Sequence, residues 1–256
     1  MKFTLSPVNA DDAESLVRKC DFPAMRDNPL HLLMFPHSCE EMEEEEIKWT
    51  IEGLEKTLQT RSAGFRKVCL EDGTPAGFAG WSLEQTTHEG KTTNIGAVSE
   101  EREEPNKCPR RDYWHPSTLD VKTWVGVSRM FRDEKKRVLE NRKNIWRLNM
   151  ISVNPAYQRQ GIGSILLQWG TEEADAHGRD SFLISSPAGV HLYAKFGFKV
   201  VGEIHTPRGT FTSMFREAQL NEVTSSFNEI SSIKRPVPRS NAGVEEVKNS
   251  KDILRV

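Results

Sequence analysis

Residues 148–178 read LNMISVNPAYQRQGIGSILLQWGTEEADAHG, and no other stretch restricts the fold as much. A strand-like run over 148–153 enters the turn signal Asn154-Pro155. Two glycines separated by one residue then precede a helix-like run with Ile165, Leu166, Trp169 and Ala174 on one face. Glycine lets backbone approach a ligand closely, and the unpaired N–H groups of a first helical turn attract anions. The same hexapeptide, QRQGIG, also serves as a close strand-to-helix turn without any ligand. Two familiar phosphate loops do not fit. The dinucleotide fingerprint would need glycine where Leu166 stands. The Gly90-Lys91-Thr92 triplet has Gln85 where a Walker loop needs its first glycine.

The remaining elements can be read around this unit. Residues 2–8 alternate as a strand, and Asn9 can cap a helix through DDAESLVRKC. Ser38 followed by Glu41 is a capping-box pattern for a helix over about 39–60. Its EEMEEEE run is either a solvated helix start that suits the macrodipole or a docking site for a polycation. FRKVCLE and AGFAGWSLE flank DGTP as a β-hairpin. Residues 87–117 have the composition of a long loop. From 118 to about 141, Val121, Trp124, Val125, Phe131, Val138 and Leu139 recur at helical spacing beneath a charged outer face. SFLISS predicts a buried strand, and Ser186-Pro187 predicts the start of a helix that closes at Gly197. FKVVGEIHT and GTFTSMFRE supply two last strands. Beyond about residue 218 the sparse hydrophobes predict a disordered tail.

Bulk properties narrow the function classes. The chain's 256 residues, 36% of them hydrophobic, suffice for one sizeable core. Lys and Arg total 35 against 37 Asp and Glu, a net charge of -2, which gives no overall field for nucleic acid or an anionic membrane. No apolar run approaches the ~20 residues of a membrane span, and the first residues lack the apolar stretch of a signal peptide. Cys20, Cys39, Cys69 and Cys108 form no C-x-x-C pair, so reduced thiols in a cytoplasmic protein are expected, a nuclear one being the alternative, and no metal site.

The stretch LNMISVNPAYQRQGIGSILL resembles the acetyl-CoA-binding signature of the GNAT superfamily of N-acetyltransferases, most of all its filamentous-fungal members. About thirty residues later SPAGVHLYAKFGFKVVGE resembles the family's helix with a tyrosine, then Gly-Phe and a strand. The resemblance covers about residues 1–217, with a charged insertion at about 87–144 and the tail 218–256 as departures. It implies an α/β fold, a mixed, mostly antiparallel sheet with helices on both faces. It also implies acetyl-CoA as co-substrate, no metal, and direct transfer to an amine. The pyrophosphate would meet backbone N–H groups of Arg159, Gln160, Gly161, Ile162, Gly163 and Ser164, with Gln158 opening the loop. Ile151, Ser152 and Val153 would pair with the pantetheine arm, and Ser186 would neighbour the cofactor or merely cap a helix. Tyr193 matches the tyrosine whose hydroxyl faces the thioester sulfur, and a phenol with pKa about 10 stays protonated to serve as general acid. Glu84 is a candidate general base, with His115 and Asp112 as alternatives, and an amine that deprotonates in bulk water needs none. The expected acceptor is a small-molecule amine. A protein or histone N-acetyltransferase and a non-catalytic CoA-binding regulator are the rival readings.

Overall fold

The computed structural model describes residues 2–61, 64–86, 92–94 and 114–219. Asp112, most of the expected 87–117 loop and all but the first two residues of the expected tail lie outside them. Strand β1 (Thr4–Pro7) leads into a helical run of uneven pitch. Asn9 donates its N–H to the Asp12 carboxylate at 2.7 Å across a 3₁₀ turn, Ala10–Asp12. The run continues as α1 (Ala13–Leu16), widens into a π turn (Val17–Asp21) and resumes as α2 (Phe22–Met25). A short helix not anticipated from sequence, α3 (Pro29–Met34), is capped by the Asn28 side chain, which accepts from the Leu30 N–H at 2.9 Å.

The helix expected over 39–60 begins differently from the sequence pattern. Cys39 rather than Ser38 holds the cap position, and a 3₁₀ turn (Glu40–Met42) precedes α4 (Glu43–Arg61). The glutamate run is largely a solvated helix start, with Glu40, Glu41, Glu44 and Glu45 exposed, but the fold also uses its charges. Glu43 pairs with Arg26 at 2.6 Å and Glu44 with Arg18 at 2.7 Å. Glu45 accepts from the Ser117 hydroxyl at 2.9 Å, and Glu46, 1% exposed, accepts from Thr118 at 2.7 Å. With Trp114 donating to Glu52 at 2.9 Å, these contacts fasten the segment before α5 to α4.

Strands β2 (Phe65–Cys69) and β3 (Pro75–Thr86) form the expected hairpin, closed by Leu70 N–H to Thr74 C=O at 2.9 Å. The stretch read as loop contains a short strand, β4 (Thr92–Asn94), because residues 84–86 of β3 offer a free edge for pairing. The amphipathic helix appears as α5 (Val121–Leu139), capped by Asp120, whose carboxylate accepts from Thr123 N–H at 3.0 Å. Then come β5 (Ile145–Val153), α6 (Ile162–Ala176), β6 (Ser181–Ser185), α7 (Val190–Lys195), β7 (Lys199–Thr206) and β8 (Gly209–Arg216). Strand β5 starts earlier than its pattern suggested, and α6 starts at Ile162 rather than after Gly163.

The sheet runs β1-β2-β3-β5-β6-β8-β7, with β4 against β3. Every pairing is antiparallel except β5–β6. One face carries α6 and α7 over Trp81, Leu148, Leu166 and Leu167. The other carries α1 and α4 over Phe65 and Phe78, with α5 meeting β8 through Phe131 and Phe211, ring centroids 5.0 Å apart. The expected mixed, mostly antiparallel sheet with helices on both faces is the observed one.

Candidate active site

The one parallel pair, β5–β6, is joined only at Trp146↔Ser181 and Arg147↔Phe182. Beyond that point β5 keeps β3 on one edge, through Phe78↔Ser152 and Ala79↔Ile151, while β6 keeps β8. The register with β3 jumps from Gly80↔Met150 to Trp81↔Leu148, leaving Asn149 as an extra residue. A bulge of this kind bends a strand away from its course. Residues 148–153 therefore show an edge unpaired with β6, and an extended molecule can pair there as a strand would.

The glycine turn stands at the end of that edge. Gln158 donates from Nε2 to the Val153 C=O at 3.2 Å and ties the loop to the strand. Arg159 and Gly161 both hold positive φ, 63° and 90°, a left-handed backbone natural only to glycine. Gly161 caps α6, and its C=O accepts the first helical bond from Ile165 N–H at 3.0 Å. The N–H groups of Ile162, Gly163 and Ser164 consequently lack helical partners. Gln158, Arg159, Gln160 and Gly161 are exposed, whereas the Ile162 side chain is buried. Side chains of Ile151 and Val153 pack into the α6 core, so their backbones alone face the opening.

Beyond β6 the Ser186-Pro187 reading needs correction. Residues 187–189 form a turn, closed by Gly189 N–H to Ser186 C=O at 3.0 Å, and α7 starts only at Val190. Ser186 caps nothing there; its C=O also accepts from the Ser185 hydroxyl at 2.6 Å. The delay puts Gly189 beneath Tyr193: a Cβ at 189 would lie 2.7 Å from Tyr193 Cε2 and 2.8 Å from Ser185 Oγ. Helix α7 ends at Gly197, φ 84°, with Phe198 N–H on the Tyr193 C=O at 3.3 Å. Tyr193 is 7% exposed and meets Phe198 edge-on, centroids 6.2 Å apart. Burial pushes its phenol well above the ordinary tyrosine value, which keeps the proton on. Among the described residues nothing hydrogen-bonds its hydroxyl.

The basic candidates separate. Glu84, 4% exposed near the end of β3, lies 2.9 Å from Arg147 Nη1 and 3.4 Å from Lys135 Nζ. Its two oxygens are thus held in ion pairs against β5 and α5. Arg147 also donates from Nε to Asn149 Oδ1 at 2.6 Å, linking this cluster to the bulge. His115 sits before α5, its Nδ1 3.1 Å from the Pro116 C=O. One group that the sequence reading passed over stands closer to the open strand. Asp21, in the π turn, accepts a hydrogen bond from the Ser152 hydroxyl, and both residues are buried. Burial raises the Asp21 carboxyl above the usual range, opposed only by that bond. Nothing in VRKCDFP announces a π turn, so no local signal marks Asp21. Among the described residues no group of His, Cys, Asp or Glu is placed to hold a metal ion, and no helix is long and apolar enough to cross a membrane.

The fold thus joins a splayed parallel pair to a glycine turn that caps α6 at its mouth, with Tyr193 buried on α7. Residues 119–200 match the family described as acetyltransferase (GNAT) domain. That match covers about a third of the chain. Over 55 residues the chain is 38% identical to an acetyltransferase of Stachybotrys chartarum, a segment that is 22% of this chain and 24% of that relative's length. Among solved structures, arylalkylamine N-acetyltransferase 2 from Aedes aegypti is similar with a TM-score of 0.60 at 13% identity, over 86% of this chain and 100% of that one. A histone acetyltransferase HPA2 and related acetyltransferase from Corynebacterium glutamicum is similar with a TM-score of 0.53 at 16% identity, over 86% and 99%. At these identities the likeness concerns the fold.

Proposed function

We propose that this protein transfers acetyl from acetyl-CoA directly to the amine of a small molecule. The observation that carries the reading is the unpaired β5 edge with the N-terminus of α6 at its end. The pantetheine arm pairs with the backbones of Ile151, Ser152 and Val153. The pyrophosphate takes the N–H groups of 159–164, with Gln158 bracing the loop, and Ser186 lies alongside. The amine attacks the thioester carbon, and Tyr193 gives its proton to the departing sulfur, so thiolate never has to leave as a free anion. Burial supports that role because the donor stays protonated at any working pH. Glu84 remains a conceivable base only if its ion pairs with Arg147 and Lys135 open during turnover. The catalytic domain spans 1–217, with 218–256 as an appendage.

Incubation with acetyl-CoA and a panel of alkylamines, arylalkylamines and lysine-containing peptides tests the reading. Release of free thiol, with a small-molecule product one acetyl heavier, is the expected result. Acetylation of peptides alone would give the acceptor role to protein. Binding of acetyl-CoA without thiol release across the panel would indicate a non-catalytic binding module.

A further inference from the structure

The π turn at Val17–Asp21 brings a carboxylate onto the face of β5 opposite α6. Phe78 and Met150 belong to the core on that face, and Ser152, two residues on from Met150 and opposite Phe78, projects to the same side. There its hydroxyl donates to Asp21. Asp21 has no ion pair among the described residues, in contrast to Glu84. A buried carboxyl without a cation is costly, and a hydrogen bond from one hydroxyl offsets little of that cost. Such groups persist where they serve chemistry. Ser152 lies in the strand segment assigned above to the pantetheine arm, so the Asp21–Ser152 pair sits beside the backbone that the arm would follow.

We propose that Asp21 is the general base of the transfer and that Ser152 is the relay through which it takes the acceptor's proton. This rests on the acetyl-transfer reading. The amine nitrogen bonds to the thioester carbon and becomes N⁺–H. That proton passes to Ser152 Oγ as the Ser152 proton moves to the Asp21 carboxylate. The carbonyl re-forms, the C–S bond breaks with its electron pair on sulfur, and Tyr193 protonates the sulfur. The acid form of Asp21 and the tyrosinate return to their starting states by releasing and taking up one proton through solvent. Of the charged groups on the elements packed around the π turn, Glu84 pairs with Arg147 and Lys135, Glu44 with Arg18 and Glu43 with Arg26, while Lys19 of the turn and Lys48 of α4 are exposed. Cys20, beside Asp21, donates to Pro75 C=O at 3.5 Å, and burial pushes its thiol up to about 12, so it does not titrate in the working range.

The test compares wild type, Asp21→Asn and Ser152→Ala in the full chain. Calorimetric acetyl-CoA affinity reports that each variant is folded and loaded. With an alkylamine, turnover is expected to fall by about 10²-fold in both variants, the usual scale for general-base catalysis. The acid limb of the turnover–pH profile, set by Asp21 ionisation, should vanish in Asp21→Asn. With an aromatic amine, whose N⁺–H is far more acidic, the loss should shrink to a few-fold. Unchanged turnover in loaded Asp21→Asn, or an equal loss with both kinds of amine, overturns the relay. If wild type itself releases no thiol from acetyl-CoA, the failure belongs to the acetyl-transfer reading. Should Asp21→Asn not fold, Ser152→Ala still decides, because its alkylamine loss and aromatic-amine recovery follow from the same relay.

Discussion

Tyr193 presents an apolar ring to the core and, among the described residues, its hydroxyl has no hydrogen-bond partner, the arrangement expected of a donor kept for a ligand. Tyr193→Phe keeps the ring against Phe198 and Gly189, so the fold and acetyl-CoA affinity should hardly change. If the hydroxyl protonates sulfur, turnover should fall by about 10²-fold, with little change in KM for acetyl-CoA, because the interaction matters only as charge develops. Steady-state kinetics with the best acceptor decide this, and wild-type turnover in the variant would reduce Tyr193 to packing. Gly161 works through backbone rather than contact. A Cβ there would meet nothing within 4 Å, yet φ is +90°, so any side chain strains the turn and projects into the space before the α6 N–H groups. Gly161→Val should weaken acetyl-CoA binding at least tenfold, about 1.4 kcal/mol, and calorimetry on the folded variant would show it. Both residues were legible in the sequence because the reason for each is local and motif-bound. Asp21 was not, since its meaning comes from Ser152, far along the chain.

Elements divide along the same line. The β2–β3 hairpin, the β5–turn–α6 unit and the β7–β8 pair were readable because turn chemistry and periodicity act over a few residues. The late start of α7 was misread: Ser-Pro is a sound local signal for a helix start, but the 187–189 turn is needed to bring Gly189 under Tyr193. Strand β4 and the ion-paired glutamates of α4 were hidden because their partners come from distant segments. Helix α5 shows how tertiary contacts settle what periodicity leaves open. Its stripe required a cover, and the cover is the fold itself. Trp124 meets Trp49 of α4 edge-on at 5.8 Å, Phe131 meets Phe211 of β8, and Ser213 donates to Glu134. Trp124→Ala should lower stability by about 2 kcal/mol, roughly half the cost for a fully buried tryptophan, since Trp124 is half-buried. Chemical denaturation reads that loss, while acetyl-CoA affinity in the folded fraction should stay unchanged. A loss of affinity instead would place α5 at the cofactor.

At the scale of the whole molecule, the near balance of charges hides an uneven distribution. Most buried charge is paired, as in Glu84 with Arg147 and Lys135 or Asp175 with Arg216 at 2.6 Å. Two buried groups lean toward neutrality. His31, packed among Phe22, Phe35 and Glu46, is pushed below the ordinary histidine value chiefly by burial. Folding therefore favours its neutral form, and stability is lost as pH falls below about 6.5. Asp21 is raised by burial, so the sign reverses. Its contribution is fully present below the ordinary carboxylate range and is lost as pH climbs through its elevated value. Once ionised, Asp21 costs stability as a buried carboxylate with no ion pair among the described residues, and a site that trades stability for chemistry shows this pattern. Asp21→Asn removes the charge while its amide oxygen can still accept from Ser152. The variant should melt above wild type at the alkaline end of the range, and the gap should close as pH falls toward the ordinary carboxylate range. Because His31 is present in both proteins, its titration cancels in the difference. Melting curves across that range provide the measurement. A variant that melts below wild type by the same margin at every pH would mean that the Asp21 carboxyl stays neutral, and a permanently neutral carboxyl could not accept the amine's proton.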